Sequence, residues 1–386
     1  TAHYNCALGH AALSENTTGT NNVAVGYQSL GNNTTASYSV AVGHAALPDS
    51  TTGGYNTAVG NQACHETTTG SENVAIGNGA MYANTTGATN TAVGTNALDA
   101  NTTANNNSAF GYQSLGANTT GVQNTAVGGY ALLTNSTANY NTAVGYNSLK
   151  VNTTAGNNTA VGHASLLSNT TGEHNTAMGY QAGEQCTTGF YSTLIGSRAG
   201  ESITTAGYST GIGMIALGAV TTGNYNTALG YRAGDSIITG YNCTCLGYQA
   251  DTTSDASTNQ FVLGNSSVSL LRCQQTSITA LSDERDKTDI INIPLGLDFI
   301  NKLRPVKFKW DTREGMAKDG SYEAGFIAQD LQKLENEEGV ADWMNLVHDE
   351  NPDRLEATPG SLLPVLVNAI KELSAEVEQL KNQLNN

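Results

Sequence analysis

The sequence predicts a mainly β protein: a parallel β-solenoid or β-roll of 17-residue coils, followed by an α+β domain that ends in a coiled-coil helix. The first observation is a glycine that recurs every 17 residues from Gly9 to Gly264 without insertion or deletion, a regularity typical of stacked structural repeats. Two others are an abrupt change of composition near residue 270 and an apolar heptad pattern at the C-terminus. We predict a shaft over 1–270, a linker over 271–281, a compact domain over 282–360 and a coiled-coil helix over 361–386.

The charge balance excludes one broad class of function. The 386 residues include 16 Lys and Arg against 32 Asp and Glu, a net charge of −16, which argues against a nucleic-acid-binding protein. Residues 1–270 contain only three basic residues, Lys150, Arg198 and Arg232, and eleven acidic ones. No apolar run approaches the length of a membrane-spanning helix, so we predict no membrane insertion. Because the sequence begins in the middle of a repeat, we expect it to begin inside a longer protein.

Each coil of the shaft repeats the same kinds of position. The residue before the recurring glycine is apolar, as at Val42 and Val59, and the residue two before it is small, as at Ala41 and Ala58. Four residues after the glycine comes a second apolar column, mostly Leu. Side chains alternate across a strand, so the Val and Ala columns point to opposite sides. We expect the Val and Leu columns to fill a narrow interior, and the Asn-Thr-Thr-Gly segments to form turns.

The Ala column then needs a dry surface to face. One coil buries too little apolar area to offset the ordering of its 17 residues. The sequence therefore predicts a homotrimer wound about a common axis. We expect Ala41, Ala58 and Ala75 near that axis, and Val42, Val59 and Ile76 inside each protomer's own coils.

The core of the repeat resembles a known family. Segments such as Ser39-Val40-Ala41-Val42-Gly43 and Asn73-Val74-Ala75-Ile76-Gly77 are similar to the head repeats of bacterial trimeric autotransporter adhesins. The resemblance covers about residues 1–265 and implies a left-handed parallel β-roll wound as a trimer. The coil here is longer than the usual head repeat.

The C-terminal segment has the pattern of a coiled coil. Its apolar residues alternate in spacings of three and four, with Glu and Lys around them, at Leu363, Leu366, Ile370, Leu373, Val377, Leu380 and Leu384. The residue types at the two seam positions would by themselves favour a dimer. We predict a trimer because the shaft requires one. The alternative is an ordinary amphipathic surface helix.

Four motifs in order make the C-terminal region resemble the intramolecular chaperone domain of endosialidase tailspikes and many phage tail fibres. They are Ser282–Lys287, Val306–Trp310, Gly325–Asp330, and Leu363–Leu366 running into Leu373. The resemblance implies trimerisation, templated folding of the β-rich shaft, and release by serine-dependent self-cleavage between Leu281 and Ser282. It assigns Ser282 as the nucleophile and Lys287 as its partner. Asp286 stands where many members have an apolar residue.

The chemistry of this pair can also be argued from the residue types. A serine hydroxyl is a weak nucleophile unless a nearby base takes its proton, and a lysine can act as that base only in its neutral form. Ser282 adjoins the Leu281–Ser282 peptide bond, so proximity favours attack on the preceding carbonyl, and Arg285 is near enough in sequence to disfavour the charged lysine. The alternative is that Ser282-Asp283 is a helix N-cap followed by an ordinary charged turn.

Two further groups of residues are candidate metal ligands. His10, His44 and His163 share the column after the recurring glycine, and three copies of one His about an axis could bind a metal; an outward-facing column is the simpler interpretation. Cys243 and Cys245 could ligate a metal or crosslink chains, but small buried thiols are the simpler interpretation. We predict no cofactor and no metal.

These observations lead to one functional hypothesis. We expect a structural homotrimeric fibre on a virion surface, most simply a phage tail fibre for host attachment, with at most single-turnover autoproteolysis and no external substrate. Its expected partners are its own copies, a host-surface receptor (glycan or protein) and other tail or baseplate proteins, but not nucleic acid. A bacterial trimeric surface adhesin, extracellular on the cell, is the alternative; we expect no membrane anchor after the coiled coil. Ice binding and glycan hydrolysis are disfavoured, the latter because the shaft has few carboxylates.

Overall fold

The computed structural model describes residues 2–268, 270–272, 282–310, 322–349 and 355–385. The chain divides into two compact units, Thr1–Asn265 and Ser266–Asn386. The first unit is a parallel β-solenoid of 17-residue coils, and the second contains small sheets and a long C-terminal helix, so the predicted fold class is confirmed for the single chain. Within the described residues no helix is both long and apolar enough to cross a membrane.

The solenoid contributes one three-residue strand per coil to a single sheet. All strands are parallel and their order in the sheet is their order in the sequence. Each residue pairs with the one 17 positions away, as Ala41 pairs with Ala58. The strands are β1 Cys6–Leu8, β2 Val23–Val25, β3 Val40–Val42, β4 Thr57–Val59, β5 Val74–Ile76, β6 Thr91–Val93, β7 Ser108–Phe110, β8 Thr125–Val127, β9 Thr142–Val144, β10 Thr159–Val161, β11 Thr176–Met178, β12 Thr193–Ile195, β13 Thr210–Ile212, β14 Thr227–Leu229, β15 Thr244–Leu246 and β16 Phe261–Leu263.

The interior of the coils is built from the Ala and Leu columns, so the predicted assignment of faces is wrong. Ala41, Ala58 and Ala75 are fully buried within the single chain and pack in one core with Leu30 and Leu47. The Val column points outward instead. Val42 and Val59 are half-buried, and Ile76 is exposed.

The reason for the error lies between the glycine and the leucine. Gly43 has φ +138°, and both Ala45 (φ 49°) and Leu47 (φ 53°) are in the left-handed region. Side chains alternate between two faces only along extended backbone. The direction of the Val42 side chain therefore does not predict that of Leu47. The chain turns at these residues, and the Leu47 side chain packs against the Ala column.

One substitution within the repeat shows how closely the interior is filled. Leu194 replaces the usual strand Ala and is buried, and the neighbouring Leu positions are Gly183 and Gly200. A β-carbon on Gly183 would lie 3.0 Å from Leu194, and one on Gly200 would lie 2.6 Å from it. A large residue on the strand therefore requires small ones opposite, because Leu194 fills the space that side chains at these two positions would take.

Buried asparagines hold successive coils together. The Asn73 amide donates to the carbonyl of Gly87 (2.8 Å), and its Oδ1 accepts from the Asn90 backbone N–H (3.0 Å). In the turn, Asn84 Nδ2 donates to the carbonyl of Gly87 (3.1 Å), and the Asn101 amide donates to Asn84 Oδ1 (2.9 Å). These ladders satisfy polar groups that no water reaches, which explains why Asn recurs in the turn.

The recurring glycine is required because two coils meet there at backbone distance. Gly26 has φ +136°, and a β-carbon on it would lie 2.2 Å from the carbonyl oxygen of Gly43 in the next coil. Gly31, in the same coil, has no positive φ, and a β-carbon on it would lie 3.3 Å from its nearest neighbour, the carbonyl oxygen of Gln28.

We expect Gly26→Ala to destabilise its part of the shaft by several kcal/mol, because backbone strain of roughly 1–3 kcal/mol adds to the steric overlap. Hydrogen exchange should show faster exchange in the coils around residue 26. Gly31→Ala is the matched control and should change exchange little; equal effects of the two variants would contradict the steric explanation.

The second unit surrounds a small apolar core. Its helices are α1 Leu297–Lys302, α2 Ala328–Glu338, α3 Ala341–Met344 and α4 Leu363–Leu384, and its strands pair antiparallel as β17 Val306–Lys309 with β18 Tyr322–Gly325 and β19 Val347–His348 with β20 Glu356–Ala357. Phe299, Leu331, Leu346, Leu362 and Val365 are core members. The buried Glu335 carboxylate accepts a hydrogen bond from the Leu346 backbone N–H (2.5 Å), and burial raises the pKa of this carboxyl group.

Candidate functional site

Ser282 and Lys287 are brought together by a single 3-10 turn, Glu284–Asp286. Asp283 caps the turn by accepting from the Arg285 backbone N–H (2.9 Å), and the Lys287 N–H donates to the carbonyl of Glu284 (3.1 Å). The turn places Lys287 Nζ 2.5 Å from Ser282 Oγ, to which it donates. The local structure is thus a capped turn with Asp283 as the cap, which agrees with the alternative interpretation of Ser282-Asp283. The same turn also brings the predicted nucleophile into contact with its predicted base.

Arg285 points away from the lysine. Its guanidinium forms a two-pronged ion pair with Asp283, with Nη2–Oδ2 at 2.6 Å and Nε–Oδ1 at 3.0 Å. Arg285 thereby lowers the pKa of the Asp283 carboxyl. The expectation that Arg285 disfavours the charged form of Lys287 has no support in this arrangement, since its charge is already matched by a carboxylate.

The pair lies in solvent in the single chain. All residues from Ser282 to Lys287 are exposed. Leu281, the residue before the predicted cut, lies outside the described residues, as does most of the predicted linker. The structure therefore shows the two predicted catalytic side chains in contact at the surface of the single chain.

Helix α4 has two apolar sides with different surroundings. Leu362, just before the helix, and Val365 and Ala369 within it are buried on the unit's own core. The predicted seam points elsewhere and is 40–85% exposed, at Leu363, Leu366, Ile370, Leu373, Val377, Leu380 and Leu384. The two sides together show that α4 both belongs to its own domain and offers an unpaired apolar stripe.

Polar contacts orient α4 on its domain. Glu372 Oε2 accepts from the Leu297 backbone N–H (2.6 Å), and so caps helix α1, whose N-cap Gly296 has no side chain. Asn368 Nδ2 donates to the carbonyl of Leu295 (2.8 Å). From Leu373 to Asn385 every residue is exposed, so the second half of α4 extends beyond the domain core. Sequence reasoning missed the role of Glu372, which looked like an ordinary seam-flanking charge.

The His and Cys residues that were candidate metal ligands in the shaft stack on aromatic rings or are buried. His10 and His44 stack on the two faces of Tyr27, with ring centroids 5.4 and 5.2 Å away. Cys243 and Cys245 are buried, and burial raises the pKa of the Cys245 thiol to about 12. Among the residues described, no group of three or more His, Cys, Asp and Glu side chains could hold a metal ion. The solenoid does carry exposed aromatic rows, whose neighbouring rings contact one another from coil to coil.

Comparison with known proteins agrees with the C-terminal resemblance. Residues 282–340 match the family model described as the chaperone of endosialidase. The match begins at Ser282 and includes the first three motifs; the fourth motif, in α4, follows the matched residues. No curated protein and no solved structure matches the chain. The chain therefore combines a chaperone-of-endosialidase domain with a long parallel β-solenoid that precedes it.

Proposed function

We propose that the protein is a structural homotrimeric fibre, a phage tail fibre or related virion appendage that serves host attachment. The C-terminal unit would trimerise the chains, set their register and cut itself free at Leu281–Ser282. A chaperone-of-endosialidase domain behind a β-solenoid shaft fits such a tail-fibre-like protein. The observation that carries the proposal is the exposed apolar stripe of α4, which lies in the same domain as the chaperone match.

The stripe of α4 is suited to packing against the same helix of other chains. Its seven side chains recur at three- and four-residue spacings on a helix whose opposite side is already packed. Burying a half-exposed Leu or Ile contributes about 1 kcal/mol, and knobs-into-holes packing would bury all seven at once. Monomeric proteins rarely expose such a continuous apolar stripe to water, and exposed stripes of this kind commonly mark protein–protein contacts.

The shaft offers a second contact surface, the outward face of its sheet. All-parallel sheets are normally covered on both faces, yet the outward column includes Ile76 at 40%, Phe110 at 41% and Leu229 at 51% exposure. We propose that this face, and not the buried Ala column, meets the other protomers. Thr and Val positions two residues earlier on the same face, such as Thr57 and Val74, would flank the contact.

The trimer can be tested on helix α4. We expect Ile370→Asp to convert the trimer to monomer or to insoluble protein, because a carboxylate would be buried without a partner in the seam. Light scattering after size-exclusion chromatography measures the mass. Lys371→Asp introduces the same residue at the next position, which is exposed, and should leave the trimer intact. A monomeric wild-type chain would refute the fibre.

The place of action can be tested separately. Antibodies raised against the shaft should label tail structures of virions in electron micrographs, and purified trimer should bind to host cells and compete with virion adsorption. Labelling confined to bacterial cell surfaces would favour the surface adhesin and contradict the virion appendage.

A further inference from the structure

Five successive coils carry a continuous row of aromatic rings. We call it the aromatic row: Tyr112, Tyr130, Tyr146, His163 and Tyr180. Neighbouring centroids are 5.2–5.8 Å apart along the row. Tyr112, Tyr146 and Tyr180 are each about half exposed, at 47, 49 and 50%. The row therefore presents ring edges and phenol groups to solvent along the solenoid.

One ring of the row is turned. The column position in its coil is Gly129, and the ring comes instead from Tyr130, one residue later, with φ 60°. The Tyr130 ring stands at 88° to Tyr112 and 82° to Tyr146, whereas Tyr146, His163 and Tyr180 are nearly parallel. The turned ring interrupts the stack and exposes a different surface at this level. Sequence analysis could have found it as the one coil where Gly and Tyr occupy the two positions after the recurring glycine.

A cation lies on the turned ring. Lys150 Nζ is 5.4 Å from the centroid of Tyr130, over its face. The other two basic residues of the shaft are neutralised, Arg198 by Glu201 at 2.6 Å and Arg232 by Asp235 at 2.7 Å. Within the described part of the chain, no carboxylate forms an ion pair with Lys150. In a shaft with three basic and eleven acidic residues, this is a local positive site held against an aromatic surface.

We propose that the aromatic row with Lys150 binds a glycan whose sugars carry a carboxylate. Phenol hydroxyls along the row can hydrogen-bond to sugar hydroxyls, and the Lys150 ammonium group can pair with the sugar carboxylate. Coils repeat at ~4.8 Å, so the row could follow a linear chain of sugars along the shaft. The inference rests on the proposed host attachment and names the class of receptor.

The site and the proposed trimer contact are formed by different segments of the coil. Tyr130 and Lys150 belong to the segment after the recurring glycine, whereas the outward face of the sheet is formed by residues before it, such as Phe110 and Val127. The chain also contains a second aromatic row for comparison. His174, Tyr191, Tyr208 and Tyr225 stack at 4.7–5.4 Å with interplanar angles of 4–7°, and no cation lies over them in the described structure.

The proposal can be tested on the intact trimer with two acidic probes, an oligogalacturonate and an oligoglucuronate, each as free acid and as methyl ester. We expect at least one free acid to bind about tenfold more tightly than its ester, a difference that added salt reduces. Lys150→Met should lower the affinity for the acid to that of the ester, and Tyr130→Ala should weaken both forms. Tyr208→Ala, in the second aromatic row, is the control and should change the affinity for neither the acid nor the ester.

Several outcomes would overturn the proposal. They are equal binding of acid and ester, no loss in Lys150→Met, an equal loss in Tyr208→Ala, or no binding of either acid. Light scattering on the same samples separates this failure from that of the fibre. A trimer that attaches to host cells but binds neither acid refutes the glycan class and leaves the fibre, whereas a monomer refutes the fibre itself.

Discussion

Replacing Ser282 by Ala is expected to leave the chain uncut while the trimer and shaft form normally. In the wild type, Ser282 Oγ would attack the carbonyl carbon of residue 281, its proton passing to the neutral amine of Lys287. The peptide nitrogen of Ser282 would take that proton from Lys287 and leave as an amine. Water would then hydrolyse the ester, which releases the carboxylate of residue 281 and restores the Ser282 hydroxyl. The products are a shaft that ends at Leu281 and a 105-residue fragment that begins at Ser282. Denaturing electrophoresis and intact-mass measurement would detect both.

The state of Lys287 determines when this reaction can occur. In water a lysine side chain is protonated at neutral pH and cannot accept a proton, and Ser282 and Lys287 are both exposed in the single chain. Their 2.5 Å contact is a hydrogen bond donated by the lysine. We therefore expect cleavage only after neighbouring chains have excluded water from the site, so monomerising variants in α4 should also remain uncut.

Two variants separate the base from a purely structural role. Lys287→Arg keeps a positive donor beside Ser282, but arginine cannot be deprotonated in proteins, so this variant should be as inactive as Lys287→Ala. Arg285→Ala is the control, because Arg285 is paired with Asp283 and not with the lysine, and it should still be cut. Cleavage in Lys287→Arg would remove lysine as the base. A wild-type trimer that stays a single 40.0 kDa chain after prolonged incubation would mean that the pair is inactive.

The period of the shaft was predictable because it depends on one residue type at one position. Only glycine can occupy the contact that Gly26 makes with the next coil, so no coil can be lengthened or shortened without the glycine register showing it. The faces were not predictable by the same means. Left-handed residues such as Ala45 and Leu47 carry no distinctive sequence signal, so the path of the chain from the strand to the Leu column, and with it the face that Leu47 meets, does not follow from the spacing alone.

The C-terminal unit was predictable where a spacing pattern determines the structure. The heptad residues predicted helix α4, and the 3-10 turn has the length needed to return Lys287 to Ser282. The contacts that dock α4 were not predictable, because Glu372 and Leu297 are far apart in the sequence and meet only in the folded domain. Whether Ser282 and Lys287 act as nucleophile and base, and whether the seam joins three chains, remain predictions.

Deleting residues 282–386 is expected to yield aggregated shaft in place of soluble trimer. Each strand of the solenoid pairs with a nearly identical neighbour, as Thr142–Val144 pairs with Thr159–Val161. Three chains displaced by one whole coil would therefore lose only one level of contact out of many, because the outward side chains at adjacent levels are alike. Such displaced assemblies leave unpaired strand edges and exposed apolar side chains, which favour aggregation. Sedimentation of the truncated protein measures the soluble fraction.

A rescue experiment distinguishes register from other contributions of the C-terminal unit. Fusing an unrelated parallel trimeric coiled coil after residue 281 should hold three chains level, and so restore part of the soluble trimer. A monomeric fusion partner of similar size is the control and should restore little. Levels at which the outward side chain differs from its neighbours, such as Phe110 between Val93 and Val127, would penalise displacement. They are too few to align the whole shaft. Soluble, correctly trimeric 1–281 expressed alone would contradict the chaperone role, since the repeat would then contain all the information needed to align itself.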